Sequence, residues 1–153
     1  MESIEQLIGN HSFFRGLGAE YVQLLKGCAA GVHFETGAYI RRESEETGEF
    51  HLIVKGGVAL EVYSPVKGAV TVLTVGPGDI LGWSWLITPY RSHFDARAVE
   101  PTYAIRLDAT CLRKKFAQDP ALELALYKRF VPIIVGRMEA LTMQLLDLYS
   151  SQR

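Results

Sequence analysis

The chain has 153 residues, a formal net charge of −1 at pH 7, 48% hydrophobic residues and 22% charged ones. This length supports one domain with a real core, and the near-neutral charge gives no general attraction for nucleic acid or an anionic membrane. No apolar run approaches the roughly 18 residues of a membrane span, and the acidic start MESIEQLIGN lacks the basic region of a secretory signal, so no membrane partner is expected.

The first thirty residues read as a helical lead-in. Tyr21, Leu24, Leu25, Cys28 and Ala29 recur at helical spacing after the turn-like Gly16-Leu17-Gly18, and Ser12-Phe13-Phe14 reads as a short apolar plug before that helix. Cys28 and Cys111 form no C-x-x-C pair and cannot build a four-cysteine metal site. Both read as buried free thiols on apolar helix faces, which implies a cytoplasmic location.

From Val32 the apolar period becomes two. The runs Val32–Phe34, Ala38–Arg42, Phe50–Val54, Val58–Tyr63, Val70–Val75, Phe94–Val99 and Tyr103–Leu107 read as strands, and the acidic stretch Glu43–Glu49 as a loop. Glycines or prolines punctuate them every eight to twelve residues, the rhythm of an antiparallel sandwich, roll or barrel. The short basic runs Arg41-Arg42 and Arg113-Lys114-Lys115 read as solvated faces.

Between the last strands lies GPGDILGWSWLITPYRSHFDARA, residues 76–98, with both tryptophans and a cluster of glycines. Glycines let backbone N–H groups approach an oxyanion, and Arg91 followed by Ser92 and His93 supplies further donors, so the segment suits a pocket for a small anion. The competing reading makes Trp83, Trp85 and Leu86 core and the Arg-Ser-His run a solvated loop.

The chain then turns helical. Asp108 is a good N-cap for a helix carrying Leu112 and Phe116, and Asp119-Pro120 opens a longer one. Along the latter, Tyr127, Val131, Ile134, Met138, Leu141, Leu145 and Leu148 form a heptad stripe, widened by Phe130 and Ile133 near its start. The seam runs almost to the chain end, where little protein remains to cover it, so a homodimer through this helix is expected. Pro132 should kink or loosen the helix.

The run FHLIVKGGVA at 50–59, the turn GPGDILG at 76–82 and FDARA at 94–98 together resemble the cyclic-nucleotide-binding domain, and more closely the sensor domain of the catabolite-activator and Fnr (Crp/Fnr) regulators. The resemblance covers about residues 10–150. It implies a mainly β fold with flanking helices: a lead-in over 1–30, a jelly-roll-like β-roll over 31–107 and C-terminal helices over 108–153, the last one dimerising, all in a single domain 1–153.

It also implies a site. In the family, helix-start amides and an arginine hold the cyclic phosphate, and a glutamate after a glycine holds the ribose hydroxyl. Here Gly82 is followed by Trp83, whose indole N–H only donates, so the ribose contact is missing and standard cyclic-AMP recognition is not expected. The ligand residues implied are Gly82, Trp83, Ser84, Trp85, Arg91, Ser92 and His93, with Thr142 on the long helix where related sensors use hydroxyls to meet the base.

Three readings of the pocket stay open. It takes an anionic or aromatic ligand with Arg91 as anion partner and Trp83 or Trp85 as a stacking wall; it takes a cyclic nucleotide weakly by the phosphate alone; or Trp83 fills it and it takes nothing. The last would leave a pure interaction module on the same scaffold. The chain ends at Arg153 without a helix-turn-helix, so direct DNA binding is not expected of a stand-alone sensor or fragment. A cupin-like metal enzyme is the rival class, but His11, His33, His51 and His93 form no His-x-His pair, and no hydrolase or nucleotide-loop motif is present. The expectation is a regulatory, non-enzymatic domain.

Overall fold

A computed structural model of the chain describes residues 2–151. Residues 1, 152 and 153, at the limits of the expected single domain, lie outside the described residues. The lead-in is α1 (Ile4–Asn10), a 3₁₀ turn (Ser12–Phe14) and α2 (Ala19–Lys26). Ser3 and Gln6 close a capping box at the start of α1, and the turn drives Phe13 and Phe14 into the core. The helical spacing that ran on to Ala29 stops at Lys26. From Ala29 the backbone pairs with a strand along its whole length, Ala29 opposite Leu107 to Phe34 opposite Thr102, and that ladder outweighs the local helical pattern.

Eight strands follow among the described residues: β1 (Ala29–Phe34), β2 (Tyr39–Arg41), β3 (Glu49–Lys55), β4 (Val58–Ser64), β5 (Gly68–Val75), β6 (Ile80–Leu81), β7 (Asp95–Ala98) and β8 (Thr102–Asp108). They form two antiparallel four-stranded sheets, in the orders β1-β8-β3-β6 and β2-β7-β4-β5, which make the roll. The two-residue β6 was not visible as a strand in the glycine-rich sequence. It exists because His51 and Leu52 of β3 pair with Leu81 and Ile80.

The strand period of two sorts side chains into two cores. Phe50 and Leu52 of β3, with Ile105 and Leu107 of β8, pack against the helices, while Ile53 and Ala104 face the roll interior with Val58, Leu60, Val75, Leu81 and Ala96. A strand buried on both faces reads as an unbroken apolar run, which is why FHLIV stands out in the sequence. The helix-side core is large and aromatic. Phe130 lies 4.8 Å from the Phe13 ring, 5.0 Å from Phe50 and 5.7 Å from Trp85, centroid to centroid.

α3 (Ala109–Gln118) starts at Asp108, whose side chain accepts from the Cys111 N–H at 2.8 Å. α4 (Pro120–Ser151) turns Leu122, Leu126 and Phe130 into the core and leaves Tyr127, Val131, Met138, Leu145 and Leu148 of the heptad seam exposed. It runs unbroken through Pro132. The proline removes one N–H, but Phe130, Ile133 and Ile134 on either side pack onto the helix-side core and hold the helix in place.

Two further expectations are corrected. Cys28 and Cys111 are not free thiols: they form a disulfide that joins the start of β1 to the first turn of α3. Their separation of 83 residues hid the pairing, which arises because β1 and β8 are neighbours and the Asp108 N–H bonds to the Cys28 carbonyl. The cysteines therefore carry no argument for a location. Arg41 is the second correction. It is only 6% exposed, because β2 turns it inward while Arg42 stays outside over the Tyr39 ring. No helix among the described residues is long and apolar enough to cross a membrane.

Candidate functional site

β6 delivers the chain to Gly82, whose φ of +96° is open to glycine and strained for other residues. A 3₁₀ turn over Ser84–Leu86 follows, then a loop that returns to β7. Trp85 anchors this segment. It is 2% exposed, stacks on Phe50 at 5.2 Å with ring planes 10° apart, and its carbonyl accepts from Arg113 Nη2 at 2.6 Å. Trp85 is thus part of the helix-side core.

On the other side of the turn lies a chamber of about 30 Å³ inside the roll. Gly82, Trp83 and Ser84 form one wall, and Ser92, His93 and Phe94 another. Ser92 is buried, with its Oγ donating to the Phe94 carbonyl at 2.7 Å. His93 lines the chamber and is otherwise exposed. Arg91 does not line it. Its side chain is exposed and donates to the Ser44 carbonyl at 2.8 Å, and its backbone bridges to Glu46, so it ties the acidic loop to the cassette from outside.

Two arginines that the sequence reading did not select complete the chamber. Arg41 comes from β2 and donates through Nη2 to the Glu49 carbonyl; Arg137 comes from α4, is 9% exposed and donates through Nη2 to the Ile80 carbonyl. Arg41 Nε and Arg137 Nη1 are buried without a hydrogen-bond partner among the described residues. The other two such atoms, His51 Nδ1 and Trp85 Nε1, belong to residues outside the chamber lining. Burial pulls both guanidiniums below their ordinary pKa, opposed at Arg41 by Glu49 and Glu45 and at Arg137 by Asp79, and both stay charged. No carboxylate lines the chamber.

Each arginine left a trace in the sequence. Arg137 continues the buried stripe Leu122, Leu126, Phe130, Ile133 along α4, where a charge is out of place. Arg41 closes β2 and Arg42 follows it directly, so extended backbone there sends the two side chains to opposite sides.

The Arg137 guanidinium carbon sits 5.1 Å from the centre of the Trp83 ring, and this pair separates the chamber from an outer groove of about 300 Å³. Ile134, Met138, Leu141 and Leu145 line that groove together with Thr142, whose hydroxyl donates to the Met138 carbonyl at 2.8 Å. Gly82, Trp83, Ser84, Ser92 and His93 thus meet in the chamber, Thr142 lies in the adjoining groove, and Trp85 and Arg91 lie apart. No cluster of three or more His, Cys, Asp or Glu side chains that could hold a metal ion occurs among the described residues.

Two antiparallel sheets form a roll with a long C-terminal helix packed on it and a small chamber beside a glycine turn. The family model of the cyclic nucleotide-binding domain matches residues 31–119, and the chain belongs to that family. A protein from Geobacter metallireducens named for cyclic-nucleotide binding is 29% identical, with a TM-score of 0.77 over 90% of this chain and 99% of that one. A cyclic nucleotide-binding domain from Methylobacillus flagellatus is 22% identical, with a TM-score of 0.80 over 94% of this chain and 81% of that one. The sensor domain of the transcriptional regulator DNR from Pseudomonas aeruginosa is 20% identical, with a TM-score of 0.70 over 88% of this chain and 91% of that one. These last two share the fold. No curated protein matches the sequence.

Proposed function

We propose that the protein is a non-enzymatic ligand-sensing domain that takes a small anionic ligand in the roll chamber and pairs with a second copy through the exposed seam of α4. The observation that carries the ligand reading is a chamber with two buried guanidiniums and no carboxylate. Gly82, Trp83, Ser84, Ser92 and His93 are the proposed contacts around the anion, and Thr142 the proposed contact in the groove. The missing carboxylate also disfavours a ribose, because nothing on the chamber wall accepts two hydroxyl protons as a carboxylate would. The pairing reading rests on the apolar stripe from Tyr127 to Leu148, much of it exposed.

Tryptophan fluorescence tests the first part, since Trp83 borders the chamber. Inorganic phosphate, acetate, cyclic AMP and cyclic GMP serve as probes. A saturable response to a simple anion, with cyclic AMP no tighter than phosphate, is expected. No response to any of the four sinks the sensing reading and favours a module whose cavity Trp83 fills. Sedimentation equilibrium at micromolar concentration tests the second part. The wild-type chain should have the mass of two copies and Leu145→Asp that of one; a monomeric wild type refutes the pairing.

A further inference from the structure

We propose that Arg41 and Arg137, rather than an arginine of the glycine-turn segment, are the pair that holds the anion, that the chamber takes a compact oxyanion group of carboxylate or phosphate size, and that the bound anion ties α4 to the roll. The proposal rests on the anionic-ligand reading above and specifies its site, its ligand class and its consequence.

Three observations carry it. Each guanidinium is oriented by one backbone carbonyl, Glu49 for Arg41 and Ile80 for Arg137, and each keeps a buried N–H without a partner beside the same chamber. A buried donor left unpaired is costly, and a fork of guanidinium donors matches the oxygens of a carboxylate or phosphate. Both side chains are more than nine-tenths buried, so a surface-screened role does not account for them.

The second observation is size. A chamber of about 30 Å³ matches a couple of waters or one compact oxyanion group and is far below the several hundred Å³ usual for larger ligands. The third is Gly82. A Cβ at that position would lie 3.3 Å from Arg41 Nη2 and 3.4 Å from Arg41 Nε. The glycine therefore makes room for the Arg41 guanidinium, besides allowing the positive φ of the turn.

The consequence follows from where the two arginines are rooted. Arg41 is on β2 and Arg137 on α4, so an anion between them bridges the second sheet and the long helix. Pulling Arg137 onto the anion alters its contact with Trp83, which gives the coupling an optical signal. It also presses α4 against the roll next to the outer groove, which Ile134, Met138, Leu141 and Leu145 of the seam line.

The test is titration of the full chain with inorganic phosphate and with acetate, followed by calorimetry and tryptophan fluorescence, for wild type, Arg41→Gln, Arg137→Gln and Arg91→Gln. Loss of one charged hydrogen-bonding partner should weaken phosphate binding about 10- to 100-fold in Arg41→Gln and in Arg137→Gln, and less than about 3-fold in Arg91→Gln. Hydrogen exchange over 134–145 should slow with phosphate in wild type and not in Arg137→Gln. Phosphate should also shift the guanidinium NMR resonances of Arg41 and Arg137 in the wild type, a measurement that does not depend on any variant folding.

Phosphate binding that survives both glutamine variants and falls with Arg91→Gln overturns the two-arginine site and leaves the sensing reading standing. Phosphate binding that leaves the guanidinium resonances of Arg41 and Arg137 unmoved has the same meaning. Failure of wild type to bind phosphate, acetate or a cyclic nucleotide overturns both.

Discussion

Phe130→Ala isolates the docking of α4 onto the roll. Phe130 is fully buried, and its ring meets Phe13, Phe50 and Trp85 within 6 Å, so truncation removes the centre of the aromatic cluster. Phe→Ala at such a site costs about 3–5 kcal/mol, lost transfer energy plus the cavity left behind. An unfolding entropy of about 2.1 cal/mol/K per residue gives about 0.3 kcal/mol/K for 153 residues. The expected fall in Tm is therefore about 10–15 °C, within what a domain with the usual 5–15 kcal/mol survives. Thermal and urea melts at one fixed protein concentration measure it, which removes the concentration dependence that self-association would add. Leu124→Ala, exposed on the same helix, should stay within about 0.5 kcal/mol of wild type. A loss below about 1 kcal/mol in Phe130→Ala would mean that α4 does not pack on the core as described, and the proposed coupling through Arg137 would fall with it.

Two other outcomes are expected. His51 is buried beside Arg41 and Arg106, and burial first, then those two charges, depresses its imidazole to about 3. It is neutral at pH 7, so its 3.9 Å approach to Glu49 is not an ion pair there. An imidazole that is harder to protonate folded than unfolded adds its full share of stability above about 6.5 and loses it as pH falls toward about 3. For His51 alone that loss is about 2 kcal/mol between pH 7.5 and pH 5, and His11, also lowered by burial, adds in the same direction. Urea melts at the two pH values should show it, and His51→Gln should flatten the difference; an unchanged difference refutes the assignment. Reducing the Cys28–Cys111 bridge, or replacing both cysteines by serine, should lower stability by about 2–4 kcal/mol, since it frees a loop of 83 residues in the unfolded chain. Equal melts with and without reductant, together with two titratable thiols in the native protein, would show that the bridge does not form.

Much of the fold is legible along the chain, for reasons that are local. The nearly unbroken apolar runs around Phe50–Val54 and Tyr103–Leu107 mark strands buried on two faces, and Asp108 and Asp119 announce two helices by their capping chemistry. The motif blocks at 50–59, 76–82 and 94–98 point to the family that the match over 31–119 then shows. The glycine turn itself is readable because positive φ selects glycine at position 82.

The site is only half legible. Gly82, Trp83, Ser84, Ser92 and His93 are contiguous enough for the sequence to gather them, and they do share one chamber. Trp85 and Arg91 are equally close in sequence, yet the 3₁₀ turn sends Trp85 into the opposite core and the acidic loop holds Arg91 outside. A turn reverses side-chain direction within one or two residues, and composition does not record which way each one points.

By itself, the sequence determined a run of antiparallel strands with helices at its two ends, a glycine turn and an apolar seam on the last helix, because each depends on periodicity or backbone chemistry over a few residues, while the choice of a roll over a sandwich or barrel came from the family resemblance of the motif blocks. Only the tertiary structure decided that Cys28 meets Cys111 and that Arg41 and Arg137, 96 positions apart in the numbering, face one chamber. These depend on which strands become neighbours and how α4 lies across them, contacts between distant segments that no local pattern encodes.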